Sequence, residues 1–389
     1  MSAAGSKGRV LLAYSGGLDT SCILAWLIEQ NYEVMCYMAN VGQEEDFDAA
    51  VIKAKAVGAT KVFVEDLQRE FVEELIYPAV QANTIYEGVY LLGTSLARPV
   101  IARRQMEIAA RENCQYVSHG CTGKGNDQVR FELAYYALKP DIKVIAPWRI
   151  PEFYERFQGR KDLLAYAGIK NIPVVQTAAK PWSTDENMFH ISYEAGILED
   201  PDVTPPKDMW KLTVDPEDAP NTPERITIEF TEGKPTKVIN TTFNKTVTDS
   251  LEIFLYLNQL ARQNGTILRV AHMDLEGLTL DRQVRNLRDQ FVTPQYSNLL
   301  YNGMYFSPEA EFLLASIAAS QKTVNGEVRL KLYKGNVYVE GRSSKTNNLY
   351  DMEESSMDVH GGFAPVDSEG FIKIQSIRLK KWGQTKKLV

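Results

Sequence analysis

From Gly8 to Tyr14 the chain is almost unbroken apolar sequence, Ser15-Gly16-Gly17 follows at once, and Thr20 to Gln30 is apolar nearly all round. Such a pair reads as a strand buried on both faces, a sharp turn, and a buried helix. The cycle then repeats. Val34 to Ala39, Lys61 to Glu65, Tyr116 to Ser118 and Lys143 to Ala146 read as strands. Asp46 to Val57 (ending at Gly58), Glu70 to Ala82, Arg98 to Asn113 (with Pro99 in its first turn) and Asp127 to Leu138 read as helices. Strand alternating with helix demands parallel strands joined by right-handed crossovers, hence a doubly wound α/β sheet with helices on both faces.

The alternation fades after a helical stretch, Glu152 to Ala167, and an apolar run, Ile172 to Val175, which places a domain boundary near residue 180. Beyond Leu212 short alternating strands (Arg225 to Phe230, Thr236 to Asn240) mix with helices at Ser250 to Gln263 and Arg282 to Gln290, an α+β pattern. Arg329 to Tyr333 and Asn336 to Glu340 flank Lys334-Gly335 as a hairpin. Phe371 to Leu379 leads into a basic tail ending Lys386-Lys387.

A length of 389 residues exceeds one ordinary core, and at roughly 150 residues per domain it predicts two or three units. Charged residues at 24% and hydrophobic residues at 44% fit a soluble globular chain, with no apolar run long enough to span a bilayer. A net charge of −7 argues against a nucleic-acid partner. Met1 to Arg9 carries neither the apolar core of a secretory signal nor the arginines of a transit peptide, so a cytoplasmic location is expected. Cys22, Cys36, Cys114 and Cys121 form no C-x-x-C pair and have no histidine at zinc spacing, which reads as buried reduced thiols and no bound metal of their own.

The strongest chemical signal is Ser15-Gly16-Gly17-Leu18-Asp19-Thr20-Ser21, lying between the first strand and the first helix. Two glycines let backbone N–H groups approach a ligand, hydroxyls add donors, and the helix N-terminus adds partial positive charge. That combination is an anion cradle; the plain alternative is a turn that merely joins strand to helix. No Lys-Ser or Lys-Thr follows the glycines, so it is not a Walker loop. Asp19, at the helix start, is placed to reach a nucleotide-bound cation. Two further polar clusters stand at loops where an open α/β sheet binds ligands. One is Tyr90-Leu91-Leu92-Gly93-Thr94-Ser95-Leu96-Ala97-Arg98-Pro99, and the other runs from Ser118-His119-Gly120-Cys121-Thr122-Gly123-Lys124-Gly125-Asn126-Asp127 through Arg130 to Glu132.

The first motif resembles the SGG-x-D-S/T loop of the ATP pyrophosphatases, which implies cleavage of ATP between its α and β phosphates. The two clusters, with Pro181-Trp182-Ser183-Thr184-Asp185-Glu186-Asn187, Ser192 and Leu198-Glu199-Asp200-Pro201, are similar to the argininosuccinate synthase family almost throughout the chain. The resemblance implies an adenine nucleotide α-hydrolase-like domain over residues 1–180. It also implies a synthetase and multimerisation domain over 181–370 and an oligomerisation tail over 371–389, in a homotetramer. The implied reaction is ATP-dependent ligation of citrulline to aspartate through a citrullyl-adenylate, with release of AMP and pyrophosphate and with Mg2+ on the nucleotide.

Carried over by position, the resemblance assigns Ala13, Tyr14, Ser15, Gly16, Gly17, Leu18, Asp19, Thr20, Ser21 and Ala39 to ATP, with Gly120, Thr122, Gly123, Lys124, Gly125 and Asn126 toward its ribose and phosphates. Thr122, Asn126 and Asp127 are assigned to aspartate, and Tyr90, Ser95, Asn126, Arg130, Ser183 and Ser192 to citrulline. Asp19 and Asp127 are the expected catalytic pair. The residue types suit the task, since Arg130 can grip a carboxylate and Asp127 can meet an ammonium group. Plainer readings stand beside these: a surface salt bridge for Arg130, helix caps for Ser183 and Ser192, and a satisfied strand-end histidine for His119, which receives no catalytic role. After Gly265, members of the family carry a further segment that supplies a Glu and a Tyr to citrulline. Here it is absent, so the alternative is a catalytically impaired form that binds ATP or other subunits.

Overall fold

The computed structural model describes residues 5–123, 125–173, 182–261, 264–356, 362, 364 and 366–386. Its first sheet is formed by β1 (Arg9–Ala13), β2 (Glu33–Asn40), β3 (Lys61–Asp66), β4 (Tyr116–Ser118) and β5 (Lys143–Ile145), all parallel, in the order β3-β2-β1-β4-β5. Val10, Leu11 and Leu12 are fully buried, as an apolar central strand requires when both faces are covered. The chain leaves β1 toward β2 on one side and reaches β4 on the other, so the switch point of the sheet falls between β1 and β4.

Helix α1 (Leu18–Glu29) is buried from Thr20 to Leu27. Helix α2 (Phe47–Val57) starts on the Asp46 side chain, which accepts from the Ala49 N–H, and stops at Gly58 in the left-handed conformation. Helix α3 (Gly93–Arg111) begins earlier than the sequence suggests and keeps Pro99 in its interior. Burial overrides the proline's preference for a first turn, since Leu96 and Ala97 are fully enclosed in the core. Helix α4 (Asp127–Leu138) has its expected bounds. The stretch predicted as one helix from Glu152 to Ala167 is two, Pro151–Tyr154 and Arg160–Ile169, parted where Gly159 is fully extended. Of the run Ile172 to Val175, the last two residues lie outside the described residues, as do Pro181 and Gln263.

A small hairpin follows, β6 (Ser183–Glu186) with β7 (Ile191–Glu194). The second sheet is antiparallel, in the order β10-β9-β8-β11-β12: β8 (Glu224–Thr231), β9 (Lys234–Asn240), β10 (Lys245–Val247), β11 (Gly326–Tyr333) and β12 (Asn336–Ser343). Lys334 and Gly335, at φ 48° and 75°, form the tight turn between β11 and β12, as their spacing predicts. Ile226, Ile228, Phe230, Val328 and Leu330 point inward in strict alternation. They share a core with α5 (Ser250–Ala261), α6 (Asn264–Thr279) and buried residues between Phe71 and Val100, against which Ala39 of β2 also packs. The long α6 was absent from the predicted elements.

Candidate functional site

The turn after β1 is built by its own short side chains. Ser15 Oγ lies 3.1 Å from Thr20 Oγ1, which also accepts from the Ser15 N–H at 3.3 Å. Ser21 donates to the Gly17 carbonyl at 2.7 Å and meets the Tyr14 hydroxyl at 2.9 Å. Gly16 has φ 72°, and a Cβ there would stand 3.1 Å from the Ala50 methyl, so both backbone and space call for glycine. Lys53 donates to the Gly16 carbonyl at 2.8 Å. Burial raises the Asp19 carboxyl above its ordinary value, and Arg160 partly offsets this. Burial likewise pushes the Tyr14 hydroxyl up to about 12, against the Ser21 hydrogen bond.

The loop after β4 packs directly on that turn. A Cβ on Gly120 would come within 2.7 Å of Thr20 Cγ2, so glycine here lets the loops of two neighbouring strands touch. His119 is 1% exposed, with Nε2 3.0 Å from Glu132 and Nδ1 accepting from the Cys121 N–H; it is satisfied within the fold.

Beyond Gly120 the wall is electrostatic. Asp127 accepts from Arg98 at 3.0 and 2.6 Å through one oxygen and from Arg130 at 2.9 Å through the other. Arg98 also donates to Asp185 at 2.8 Å, and the Thr94 hydroxyl donates to that same Asp185 oxygen at 3.1 Å. Burial would raise the Asp127 carboxyl, but Arg98 and Arg130 outweigh it and hold the group below its usual value. Burial works against the charge on Arg98, yet Asp127 and Asp185 keep its affinity for the proton well above normal. Arg130 is buried, donates from Nε to the Tyr301 carbonyl at 2.9 Å and lies over the Tyr301 ring; it is no surface salt bridge. Asn126 donates to the Tyr301 hydroxyl at 2.9 Å, and that ring stacks on Tyr86 at 3.8 Å.

The β6–β7 register pairs Ser183 with Glu194 and Asp185 with Ser192, so period-two alternation sets these four on one face of the hairpin. Ser183 and Ser192 are therefore strand residues and not helix caps. The hairpin turn docks on the start of α3, where Asn187 donates to the Gly93 carbonyl at 3.1 Å.

Two clefts result. One, about 800 Å3, is lined by Ala13, Tyr14, Ser15, Gly17, Leu18, Asp19, Thr20 and Ala39, with Arg98, Arg160, Ser183 and Lys211 among its other residues. Its neighbour, about 710 Å3, is lined by Tyr90, Thr122, Gly125, Asn126, Arg130, Ser192 and Tyr301 among others. They share Gly120, Cys121, Asp127 and Asp185. Among the predicted site residues, Gly16, Ser21 and Gly123 line neither cleft, and Lys124 lies outside the described residues. Ser95 lines neither, although its hydroxyl is buried and has no partner among the described residues. Arg98, Asp185, Arg160 and Tyr301 were missed as site residues. The first two sat inside recognised motifs, whereas nothing local marks Tyr301.

An open parallel sheet with a glycine turn at its switch point and a paired cleft beyond it defines an α/β domain of the nucleotide-binding kind. The family model for the N-terminal HUP domain of argininosuccinate synthase matches residues 9–173, and that for its C-terminal domain matches 182–266 and 265–382. Argininosuccinate synthase of Saccharomyces cerevisiae is 61% identical over 98% of both chains. Those of Schizosaccharomyces pombe and Homo sapiens are 62% and 52% identical over 96% and 97% of both chains. The chain belongs to the argininosuccinate synthase family, a family of ligases. The alignment with the S. cerevisiae relative runs over 412 residues, more than the 389 of this chain, and the C-terminal family match is in two pieces that meet at Gly265.

Proposed function

We propose that this chain is an ATP-dependent C–N ligase that joins citrulline to aspartate, releasing AMP and pyrophosphate. The observation that carries the reading is the pair of clefts sharing Gly120, Cys121, Asp127 and Asp185, one floored by the glycine turn and the other walled by charge. ATP occupies the first, its phosphates against Ser15 to Thr20, and citrulline and aspartate occupy the second. Tyr90, Asn126, Arg130 and Ser192 hold citrulline from the second cleft and Ser183 reaches it from the first where the two adjoin, with the buried Ser95 hydroxyl in reserve for it; Thr122, Asn126 and Asp127 hold aspartate. Asp127 already serves two arginines, so it acts on an ammonium group only through its remaining lone pairs.

The ureido oxygen of citrulline attacks the α-phosphorus, the bond to the bridging oxygen breaks, and pyrophosphate leaves. Aspartate's amine then attacks the activated carbon and AMP departs with the oxygen. No covalent enzyme intermediate is needed, so orientation and charge stabilisation at phosphorus do the catalysis. Mg2+, when bound, neutralises charge on the pyrophosphate. Among the described residues no group of three or more His, Cys, Asp or Glu could hold a metal by itself, so Asp19 together with the phosphates fits such an ion.

The active form is a cytoplasmic homotetramer with domains over residues 1–180 and 181–370 and a contact tail over 371–389, in an arginine-forming pathway that includes the urea cycle in animals. In support, the helix Asp367–Lys386 leaves Phe371, Ile374 and Ile377 exposed, and no helix of the described residues is long and apolar enough to cross a membrane. The shortened joint after Gly265 is what a non-catalytic reading would rest on; identity over nearly the whole length favours the enzyme. The test is release of pyrophosphate from ATP that depends on citrulline. ADP and inorganic phosphate in its place, or no citrulline dependence, would overturn the reading.

A further inference from the structure

A third cavity, of about 220 Å3, opens where the β6–β7 turn meets the start of α6. It shares no lining residue with either cleft. Met188, Phe189, Ile191 and Leu212 supply apolar wall, and Asn264, Gly265 and Thr266, where the C-terminal family match is interrupted, form part of its rim.

Among the described residues one cation stands in this wall, Arg269. Its Nε donates to Asn83 Oδ1 at 2.5 Å, and neither Nη donates a hydrogen bond among the described residues. No carboxylate of the described residues lies within ion-pairing distance of it. Asp289, the acid that acts on it from further off, is paired with Arg288 at 2.8 Å. Burial lowers the proton affinity of Arg269, and Asp289 only partly offsets this. Of the other polar groups around the cavity, Asn258 and Asn264 donate to the Met188 carbonyl at 2.6 and 3.2 Å and Asn264 Oδ1 accepts from the Gly265 N–H at 2.6 Å, whereas His190 Nε2 is buried with no partner among the described residues. The unspent charged element among the described residues is the outer edge of the Arg269 guanidinium, whose fork matches a carboxylate. Apolar walls would leave a hydrated inorganic anion poorly matched, and they suit a ligand that brings its own apolar surface.

We propose that this cavity binds a small monocarboxylate with an apolar body, its carboxylate on the two Nη groups of Arg269 and its body against Met188, Phe189, Ile191 and Leu212. The site shares no lining residue with the clefts proposed for citrulline, aspartate and ATP.

Phenylacetate is the probe, titrated calorimetrically into the full chain beside its uncharged isostere phenylacetamide and beside acetate. The expected result is saturable binding of one phenylacetate per chain, with phenylacetamide and acetate weaker by about tenfold or more, the usual effect of losing a charge-assisted pair or the apolar contact. Arg269→Gln should weaken phenylacetate to the level of the amide, and Leu212→Trp, which fills the cavity, should abolish binding. Absence of saturable phenylacetate binding, equal binding of acid and amide, or binding that survives Leu212→Trp would each overturn the proposal. The comparison of acid with amide needs only the unaltered chain, so it stands even where a variant does not fold.

Discussion

The turn after β1 and the wall carried by α3, α4 and the β6–β7 hairpin face adjoining clefts, yet hydroxyls and backbone hold the first while charges hold the second. In the turn, Ser15 pairs with Thr20 and Ser21 donates to Gly17, all within seven residues of chain. In the wall, Arg98 gathers Asp127 and Asp185 from segments 29 and 87 positions away, and Tyr301 is reached from Arg130 across 171. The turn should therefore be sensitive to an added methyl group and indifferent to remote charges. The wall should respond the other way round.

The largest effect is expected from Arg98→Met. It strips the shared cation from Asp127 and Asp185, and breaking a buried pair costs about 3 to 5 kcal/mol when both partners are enclosed. Arg98 is 15% exposed but Asp185 is 34% exposed, so about 3 kcal/mol is the better figure here. Urea unfolding checks this, and a midpoint equal to that of the unaltered chain would show that charge does not hold the wall. Gly120→Ala comes next. The new Cβ would sit 2.7 Å from a threonine methyl whose own hydroxyl is tied to Ser15, an overpacking that costs about 1 to 3 kcal/mol. Steady-state kinetics should show the ATP requirement raised more than the citrulline requirement; equal effects would mean that the turn and the wall move as one. Tyr301→Phe should cost less, about 1 kcal/mol, by removing the hydroxyl that receives from Asn126 while sparing the stacked ring. A KM for citrulline or aspartate raised several-fold at unchanged KM for ATP is the expected reading.

The same contrast decides what could be seen in advance. The parallel sheet, the glycine turn after β1 and α4 were legible because each is written in contiguous residues, and burial on both faces leaves little choice of register. The start of α3 was not, because Gly93 to Ala97 become helical by burial in the shared core and by docking of Asn187, neither of which has a local signature. The β6–β7 hairpin was missed for a related reason. Its four-residue strands carry mostly polar side chains, and their alternation matters only once a cleft lies on one side. Tyr301 and Arg160 could not be found at all without the fold, since each meets the site across a long stretch of chain.

Asp19→Asn gives the smallest change in stability and the sharpest test, because Asp19 and Asp127 should respond with opposite signs. Asp19 is held above its ordinary value, so the folded state disfavours its charge. That cost is absent below the unfolded value of about 3.9, where both states are protonated. It grows as pH rises through that value and is complete above the raised folded one. Without nucleotide, Asp19→Asn should therefore be slightly more stable than the unaltered chain at pH 7, with the gain shrinking toward pH 4, while the role proposed for Asp19 predicts that adenylate formation falls steeply. Asp127 is held below its ordinary value, so its contribution is present above about 3.9 and is lost only as pH falls through the lowered folded value. Asp127→Asn should then lose stability at pH 7. Unfolding curves of both variants between pH 4 and 7 separate the cases. If Asp19→Asn were the less stable of the two at pH 7, the turn would be held by charge after all, and the distinction between the two walls would fail.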